Sequence, residues 1–190
     1  MKGWRERLGA HRPELIAEAV CPKRAAVAVI LREGARSPEV LVIHRAEHPD
    51  DPWSGHLALP GGRVDATDED PLAAARRETL EEVAIDLRAD AQLLGRLDDL
   101  PAIAQGRVVP LVISPFVFSL ERQVTPALSH EVQRIHWVEL AWLRDPAAAT
   151  QVRYPHKGQE LVLPGWRVED QVLWGLTYRM LVGLLALVEG

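Results

Sequence analysis

Three glutamates on one predicted helix are the strongest chemical signal in this 190-residue chain. They are Glu78, Glu81 and Glu82, and Arg77 precedes them. At about 3.6 residues per turn, Glu78 and Glu82 lie one turn apart and Glu81 lies beside both. Like charges at this spacing destabilise a helix, and a bound cation reverses that effect. Carboxylate oxygens suit Mg²⁺ or Mn²⁺, so the spacing predicts a divalent metal site.

A Pro-Gly-Gly turn precedes these acids in the sequence. Gly61 and Gly62 follow Pro60, and glycines let the backbone approach a ligand closely and lend it a carbonyl. An acidic helix face by itself is more often plain solvated surface. Packing alone does not account for a glycine turn, a loop and a glutamate helix in succession, so the combination favours a functional site over that alternative.

A central helix must hold the acids in place, and residues 71–83 have its signals. Pro71 stands at a favourable first-turn position, with acidic residues 68–70 near the positive end of the helix dipole. Short runs of β-favouring residues precede and follow this helix in the sequence. Residues 33–38 are predicted to form a hairpin loop between the first two of these strands. The predicted strands are 24–32, 40–44, 92–97, 108–119 and 131–138. The segment 46–56 is polar and proline-rich and is therefore predicted to be a loop.

The remaining segments are less regular. Residues 139–143 suggest a helical turn, and 146–168 an irregular stretch with a short strand at 160–163. We expect one domain over residues 1–190, with a helical extension in 1–22 (the helix itself over 4–20) and a closing helix at 170–188. Trp166 and Trp174 are expected to pack that closing helix. This order of elements predicts an α/β class, arranged as α/β/α or α+β.

Composition excludes several classes of protein. The net charge of −5 and pI near 5.8 disfavour a nucleic-acid polymer as partner. No apolar run reaches the roughly 18 residues of a membrane span, and no signal-peptide core follows the charged start. The single cysteine, Cys21, favours a reducing compartment, so we expect a cytoplasmic protein. The leucine-rich closing helix suggests either burial against the sheet or a homodimer contact.

The segment 61–85 resembles the signature of the Nudix hydrolases, G-x5-E-x7-R-E-U-x-E-E-x-G-U, where U is bulky and aliphatic. The core of the signature is present as Arg77, Glu78, Glu81 and Glu82. Glu69 stands seven intervening residues before Arg77, as the signature requires. Three positions depart from it: Gly62 lies one residue too far from Glu69, Thr79 replaces an aliphatic residue and Ala84 replaces the glycine.

The resemblance implies a Nudix-type α/β/α sandwich with a central mixed β-sheet. It also implies Mg²⁺- or Mn²⁺-dependent hydrolysis of a nucleoside diphosphate linked to another moiety. Metal ligands are then expected among Glu78, Glu81, Glu82 and the carbonyl of Gly61. As an alternative, either Glu78 or Glu81 is a catalytic residue that acts through a metal-bound water or orients the nucleophile, while Arg77 orients the carboxylates. Glu131 is a candidate general base, with a plain surface residue as the alternative.

The one-residue insertion is similar to the branch of the family that hydrolyses coenzyme A and its thioesters to 3′,5′-ADP and 4′-phosphopantetheine. Five residues fit its upstream pattern: Arg45, Gly55, Pro60, Gly61 and Gly62. Ala46 and Leu59 depart from it, and a second arginine is missing. Tyr154 and the run 174–177 again resemble that branch.

Substrate contacts are expected from four residues near the glycine turn: Arg45, Trp53, His56 and Gly62. Arg45 binds phosphate or pairs with a carboxylate, and Trp53 stacks on adenine or packs its loop. Three functions stay open: a coenzyme A hydrolase, a hydrolase of nucleotide sugars, dinucleotides or nucleoside triphosphates, and a nucleotide-binding sensor without turnover. The expected partner is in each case a small nucleotide.

Overall fold

A long mixed sheet lies at the centre of the computed structural model, which describes residues 2–48, 54–104, 107–156 and 159–189. The helices are α1 (Lys2–Ala10), α2 (Pro71–Val83), α3 (Leu140–Arg144) and α4 (Gly175–Glu189). The first strands are β1 (Arg24–Arg32), β2 (Glu39–Arg45), β3 (Leu57–Ala58), β4 (Gly61–Arg63), β5 (Ala91–Arg96) and β6 (Leu100–Ala104). The others are β7 (Arg107–Leu120), β8 (Val132–Glu139), β9 (Ala149–His156), β10 (Gln159–Val168) and β11 (Gln171–Trp174).

The large sheet contains β1 to β8, with the order β3-β2-β1-β7-β5 along its main path. Strand β4 also pairs with β1, β6 with β7 and β8 with β2. Among the described strand pairs only the central one is parallel: β1 and β7 run together from Arg24 opposite Val112 to Leu31 opposite Ser119. The other pairs of the large sheet are antiparallel, so the prediction of a mixed central sheet is confirmed.

Apolar side chains of the sheet strands pack on both of its faces, as alternation along a strand requires. Helix α2 covers one face through Ala74, Ala75 and Val83, which join Ala26 and Ile30 of β1 in one buried cluster. The second cluster holds the other face together with helices α1 and α4 and the small sheet. Helices on both faces confirm the predicted α/β/α arrangement.

The small sheet corrects the sequence prediction for residues 146–168. Strands β9, β10 and β11 form an antiparallel sheet in the order β11-β10-β9. Residues 160–163 are indeed extended, but as part of a ten-residue strand rather than a short one. Pro155 and Pro164 interrupt the apolar alternation in this segment, which hides a long ribbon from pattern analysis.

The two terminal helices are shorter than predicted. Helix α1 ends at Ala10, so the prediction of a helix over 4–20 is wrong beyond that point. Pro13 breaks the pattern, since proline lacks the backbone N–H that a helix interior needs. Helix α4 begins at Gly175 rather than residue 170, because 171–174 form β11. Most leucines of α4 are buried in the core of the same chain, which accounts for them without a dimer.

The segment after α1 is anchored by a buried carboxylate. The Asp99 side chain is fully buried and accepts hydrogen bonds from the Ile16 N–H at 3.0 Å and the Ser114 hydroxyl at 2.8 Å. Arg24 and Arg96 pair with the same carboxylate. Burial alone would raise the pKa of Asp99, but these hydrogen bonds and charges hold that pKa below its ordinary value. Asp99 therefore fastens the N-terminal segment to the sheet.

Helix α2 has the predicted bounds, and its two caps explain them. The Asp70 side chain accepts a hydrogen bond from the Ala73 N–H at 2.7 Å, and Pro71 occupies the first turn. At the other end Ala84 adopts the left-handed conformation with φ of 54°, and its N–H donates to the Leu80 carbonyl at 3.0 Å. The alanine found in place of the signature's glycine thus keeps the glycine-type cap. Among the described residues, no helix has the length and apolarity needed to cross a membrane.

Candidate active site

Glu82 is a buried carboxylate at the junction of helix α2 and the glycine turn. It is 3% exposed, and its Oε2 accepts a hydrogen bond from the Gly61 N–H at 2.9 Å. Its Oε1 lies 3.7 Å from Nη1 of Arg45. Burial raises the pKa of Glu82 to about 8, and the Gly61 hydrogen bond and the Arg45 charge offset this only in part. The contacts with Gly61 and Arg45 therefore do not fully offset the free-energy cost of ionising the buried Glu82 side chain.

The central sheet delivers the glycine turn to this helix. Strand β4 pairs with β1, with Gly61 opposite Val27, and the Ala28 N–H donates to the Pro60 carbonyl at 2.8 Å. Gly61 has φ of 148°, and a Cβ there would lie 2.2 Å from the Ala26 carbonyl oxygen. Only glycine fits this position, because both the conformation and the contact exclude a side chain.

Glu78 lies beside the second glycine. Its side chain is 18% exposed, and its Oε1 accepts a hydrogen bond from Nη1 of Arg77 at 2.9 Å. A Cβ on Gly62 would be 2.4 Å from the Glu78 carboxyl carbon, so the absence of a side chain at Gly62 makes room for this carboxylate. Burial raises the pKa of Glu78, as do the neighbouring charges of Glu81 and Glu131, while Arg77 opposes the shift.

Arg77 holds the loop before the helix as well as the helix acids. Its Nε donates to Asp68 Oδ1 at 3.1 Å and its Nη2 to Asp68 Oδ2 at 2.9 Å, a two-pronged contact. Its Nη2 also donates to the Arg63 carbonyl, and its Nη1 to Glu81 at 3.1 Å. The Arg77 hydrogen bond lowers the pKa of Asp68. Arg77 is thus in the expected position to orient the acids, and Asp68 is a partner that sequence reasoning missed.

The three helix acids do not converge in the described structure. Glu81 is 56% exposed and turns to Arg77, whereas Glu82 points inward to Gly61. Among the described residues, no three His, Cys, Asp or Glu side chains are grouped closely enough to hold a metal ion. The expectation that Glu78, Glu81 and Glu82 crowd one face is therefore wrong for these side-chain positions. Helical spacing brings the Cα atoms together but does not fix where long side chains point.

A divalent cation nevertheless fits this donor set. Glu82 is buried, the charge of Glu78 raises its pKa further, and a nearby cation would stabilise both ionised forms. The hard oxygen donors are those that Mg²⁺ and Mn²⁺ prefer. The assignments of Glu78, Glu81, Glu82 and the Gly61 carbonyl to a metal remain predictions.

Glu131 lies near the helix acids although it is distant in sequence. Its charge contributes to the raised pKa of both Glu78 and Glu82. The side chain is 58% exposed, and its backbone carbonyl accepts a hydrogen bond from the Ala46 N–H at 2.8 Å. The contact between Ala46, just after β2, and Glu131, just before β8, therefore brings Glu131 to the site; its role as a general base remains a prediction.

Of the expected substrate residues, Arg45 ends β2, His56 directly precedes β3 and Gly62 lies in β4. Arg45 reaches Glu82, so the ion-pair alternative is present in the structure, and phosphate binding stays a prediction. The His56 carbonyl accepts a hydrogen bond from the Arg45 N–H at 3.1 Å, which places His56 directly across from Arg45. Gly62 adjoins Glu78. Trp53 lies outside the described residues.

Thr79 explains one departure from the signature. Its side chain is fully buried, and its hydroxyl donates to the Ala75 carbonyl one turn earlier at 2.7 Å. Threonine is therefore accommodated at a buried position where the signature has an aliphatic residue, because its hydroxyl is hydrogen-bonded within the helix. The substitution therefore leaves the helix and its acids in place.

The family model of the NUDIX domain matches residues 22–157, almost three quarters of the chain. The chain belongs to the Nudix family. An uncharacterized protein of Schizosaccharomyces pombe is 38% identical over 151 residues, which cover 70% of this chain and 46% of the relative. The uncharacterized Nudix hydrolase NudL of Salmonella newport is 36% identical over 53% of this chain and 51% of its own length.

Among solved structures, a binary complex of the Caenorhabditis elegans Ap4A hydrolase is similar, with a TM-score of 0.52 and 31% identity. The similarity covers 63% of this chain and 81% of the hydrolase. This chain spans about half the length of the curated relatives that it matches. Nudix hydrolases generally need divalent metal ions, in keeping with the chemistry of the buried acids.

Proposed function

We propose that this Nudix protein is a divalent-metal-dependent hydrolase of the pyrophosphate bond in a nucleoside diphosphate linked to another moiety. The observation that carries the proposal is Glu82, a buried carboxylate that contacts both the glycine turn and Arg45. Burial disfavours the ionised form of a glutamate at that position, and a purely structural role there gives no reason for an acid rather than a neutral side chain. A metal-dependent site gives the buried acid a role, and family membership supports that role.

The chain's own residues divide the work as follows. Glu78, Glu82 and the Gly61 carbonyl, with Glu81 from the same helix, would hold Mg²⁺ or Mn²⁺, which neutralises charge on the diphosphate oxygens. Arg77 fixes the Glu78 carboxylate by a hydrogen bond and is an orienting residue.

Two residues outside helix α2 complete the proposed machinery. Arg45 offers its guanidinium to a phosphate oxygen once substrate competes with Glu82 for it. Glu131 receives the proton of the attacking water, a role that suits an exposed carboxylate close to the acids.

Coenzyme A or its thioesters is the proposed substrate, with 3′,5′-ADP and 4′-phosphopantetheine as products. Support comes from the upstream residues that resemble the coenzyme A branch, above all Arg45 and the insertion before Glu69. The structure supports the choice of Arg45 in particular, because this side chain reaches Glu82 and a bound diphosphate would meet it there.

A dinucleotide is the second candidate substrate. The specific observation in its favour is the 31% identity to the C. elegans Ap4A hydrolase over most of that protein. A nucleotide sugar or a nucleoside triphosphate would need the same chemistry. A non-catalytic sensor is the alternative of another class, and the presence of all three helix acids disfavours it.

The test is product identification by mass spectrometry after incubation with Mg²⁺ or Mn²⁺. The substrates are coenzyme A, acetyl-coenzyme A, Ap4A and ADP-ribose, each also incubated with the Glu82→Gln variant as a control. We expect 3′,5′-ADP from coenzyme A with the wild type and no product with the variant. Faster release of product from Ap4A would instead select the dinucleotide. Binding without hydrolysis of any substrate would show a sensor and refute the proposal, as would equal rates for the two proteins.

A further inference from the structure

Three aromatic rings meet where the small sheet touches the edge of the large one. The Trp174 ring centroid is 4.9 Å from that of His56 and 5.5 Å from that of Tyr154, with tilts of 56° and 46°. All three side chains are half-buried, so part of each remains exposed to solvent. We refer to His56, Tyr154 and Trp174 as the aromatic cluster.

The cluster differs from an ordinary core contact. Trp166 and Trp174 were both expected to pack helix α4, and Trp166 does so, with its ring 4.2 Å from that of Tyr178 and only 7% of its surface exposed. Trp174 ends β11 and turns toward His56 and Tyr154 instead. Trp174 is half-buried, so part of this large aromatic side chain remains exposed beside the other two rings.

The cluster is one strand away from the buried acid. The His56 carbonyl accepts the Arg45 N–H, and the Arg45 guanidinium lies 3.7 Å from Glu82. Adjacent strands are about 5 Å apart, so the aromatic cluster begins a short step from the place proposed for the diphosphate. In a nucleotide a single ribose separates the phosphate from the base. A surface that binds the base must therefore lie about one ribose length from the phosphate.

We propose that the aromatic cluster binds the purine base of the nucleotide substrate by stacking. This inference rests on the proposed function, because it takes the diphosphate to lie beside Arg45 and Glu82. A base has two flat π-faces and stacks on aromatic side chains, which suits tilted rings better than it suits a flexible pantetheine arm. Trp174 lies outside the residues matched by the family model, so the chain's own C-terminal sheet supplies this part of the site.

The test compares AMP with ribose 5-phosphate, which lacks the base, by ligand-observed NMR titration of the full chain. EDTA is present, so neither metal nor turnover is needed. Stacking accounts for about tenfold or more in affinity, and we expect the wild type to prefer AMP by at least that ratio. Trp174→Leu should reduce the preference to about twofold or less. Trp142→Leu is the matched control, because Trp142 is 38% exposed on α3 and donates to the Arg167 carbonyl, outside the cluster.

Three results would overturn the inference: no preference for AMP in the wild type, equal losses in the Trp174 and Trp142 variants, or a Trp174→Leu effect on 4′-phosphopantetheine but not on AMP. If circular dichroism shows that Trp174→Leu is unfolded, Tyr154→Leu is used instead. An unchanged preference of that variant for AMP over ribose 5-phosphate would also overturn the inference. Failure of this inference can be told apart from failure of the proposed function. A wild-type protein that binds AMP through the aromatic cluster but hydrolyses no diphosphate would refute only the proposal that it is a hydrolase.

Discussion

Replacing Glu82 with glutamine should stabilise the metal-free protein at neutral and alkaline pH while abolishing hydrolysis. Burial raises the pKa of this carboxyl from 4.5 to about 8. At about 1.36 kcal/mol per pKa unit, the ionised form costs the folded state about 5 kcal/mol. Relaxation around the charge reduces that cost, and we expect a net destabilisation of the wild type of about 2–4 kcal/mol near pH 8. Glutamine removes the charge and keeps an oxygen for the Gly61 N–H.

The direction in which the free energy of unfolding changes with pH follows from proton binding to Glu82. Between pH 4.5 and about 8 the folded wild type keeps a proton on Glu82 that the unfolded chain releases. The free energy of unfolding therefore falls as pH rises through that window and does not change for this reason outside it. The Glu82→Gln variant lacks this dependence, so its advantage should be small near pH 5 and largest near pH 8.

Urea unfolding in EDTA at several pH values measures the effect. Glu81→Gln is the matched control, because Glu81 is on the same helix but 56% exposed, and it should leave stability almost unchanged. Added Mg²⁺ or Mn²⁺ should stabilise the wild type and not the Glu82→Gln variant. A variant that is less stable than the wild type at pH 8, or that keeps the same pH dependence, would refute the reasoning.

Three further substitutions test other contacts, with stability measured by urea unfolding and activity as kcat. Arg77→Lys loses the two-pronged grip on the loop, so we expect a destabilisation of about 1–2 kcal/mol and a lower kcat; an unchanged kcat would contradict its orienting role. Asp99→Asn leaves two half-buried arginines, Arg24 and Arg96, without their counter-charge and should destabilise the protein by about 3 kcal/mol. Because the pKa of Asp99 is lowered, the stability advantage of the wild type should vanish as the pH falls below that pKa, and equal stability of the two proteins at pH 7 would contradict this role. Gly62→Ala displaces Glu78 and should lower kcat at least about tenfold, whereas Gly183→Ala, with open space around it, should leave kcat unchanged; similar activities would show that the glycine contact is unimportant.

Sequence patterns predicted the elements that have local signals. Helix α2 had both a first-turn proline and an acidic cap, and its bounds are those predicted. Strand β1 is an uninterrupted apolar run and was also predicted with its observed bounds. The β9–β10 ribbon was not predicted because prolines and exposed residues disrupt its alternation. The first part of β10 is exposed and held by pairing with β9, and only its end, at Trp166 and Val168, packs in the core.

The candidate site shows the same division between local and long-range information. The signature identified the acids and Gly61, since their spacing along the chain is fixed. It did not reveal that Glu82 turns inward while Glu81 stays largely exposed beside Arg77, because the position of Glu82 depends on the approach of β4 to the helix. Asp68 and Trp174 were missed as site residues for a similar reason: each acts through a partner that only folding brings close.

The parallel pairing of β1 with β7 has a consequence for the order of assembly. Its partners Arg24 and Val112 are 88 positions apart in the chain, and β7 is also the strand on which β5 and β6 are aligned. Contacts this distant slow folding, because a long loop must close before they form. During synthesis helix α2 emerges from the ribosome before β7 exists. A truncated chain that ends after the signature should therefore lack the partner strand of β1, on which β4 and its glycine turn are aligned.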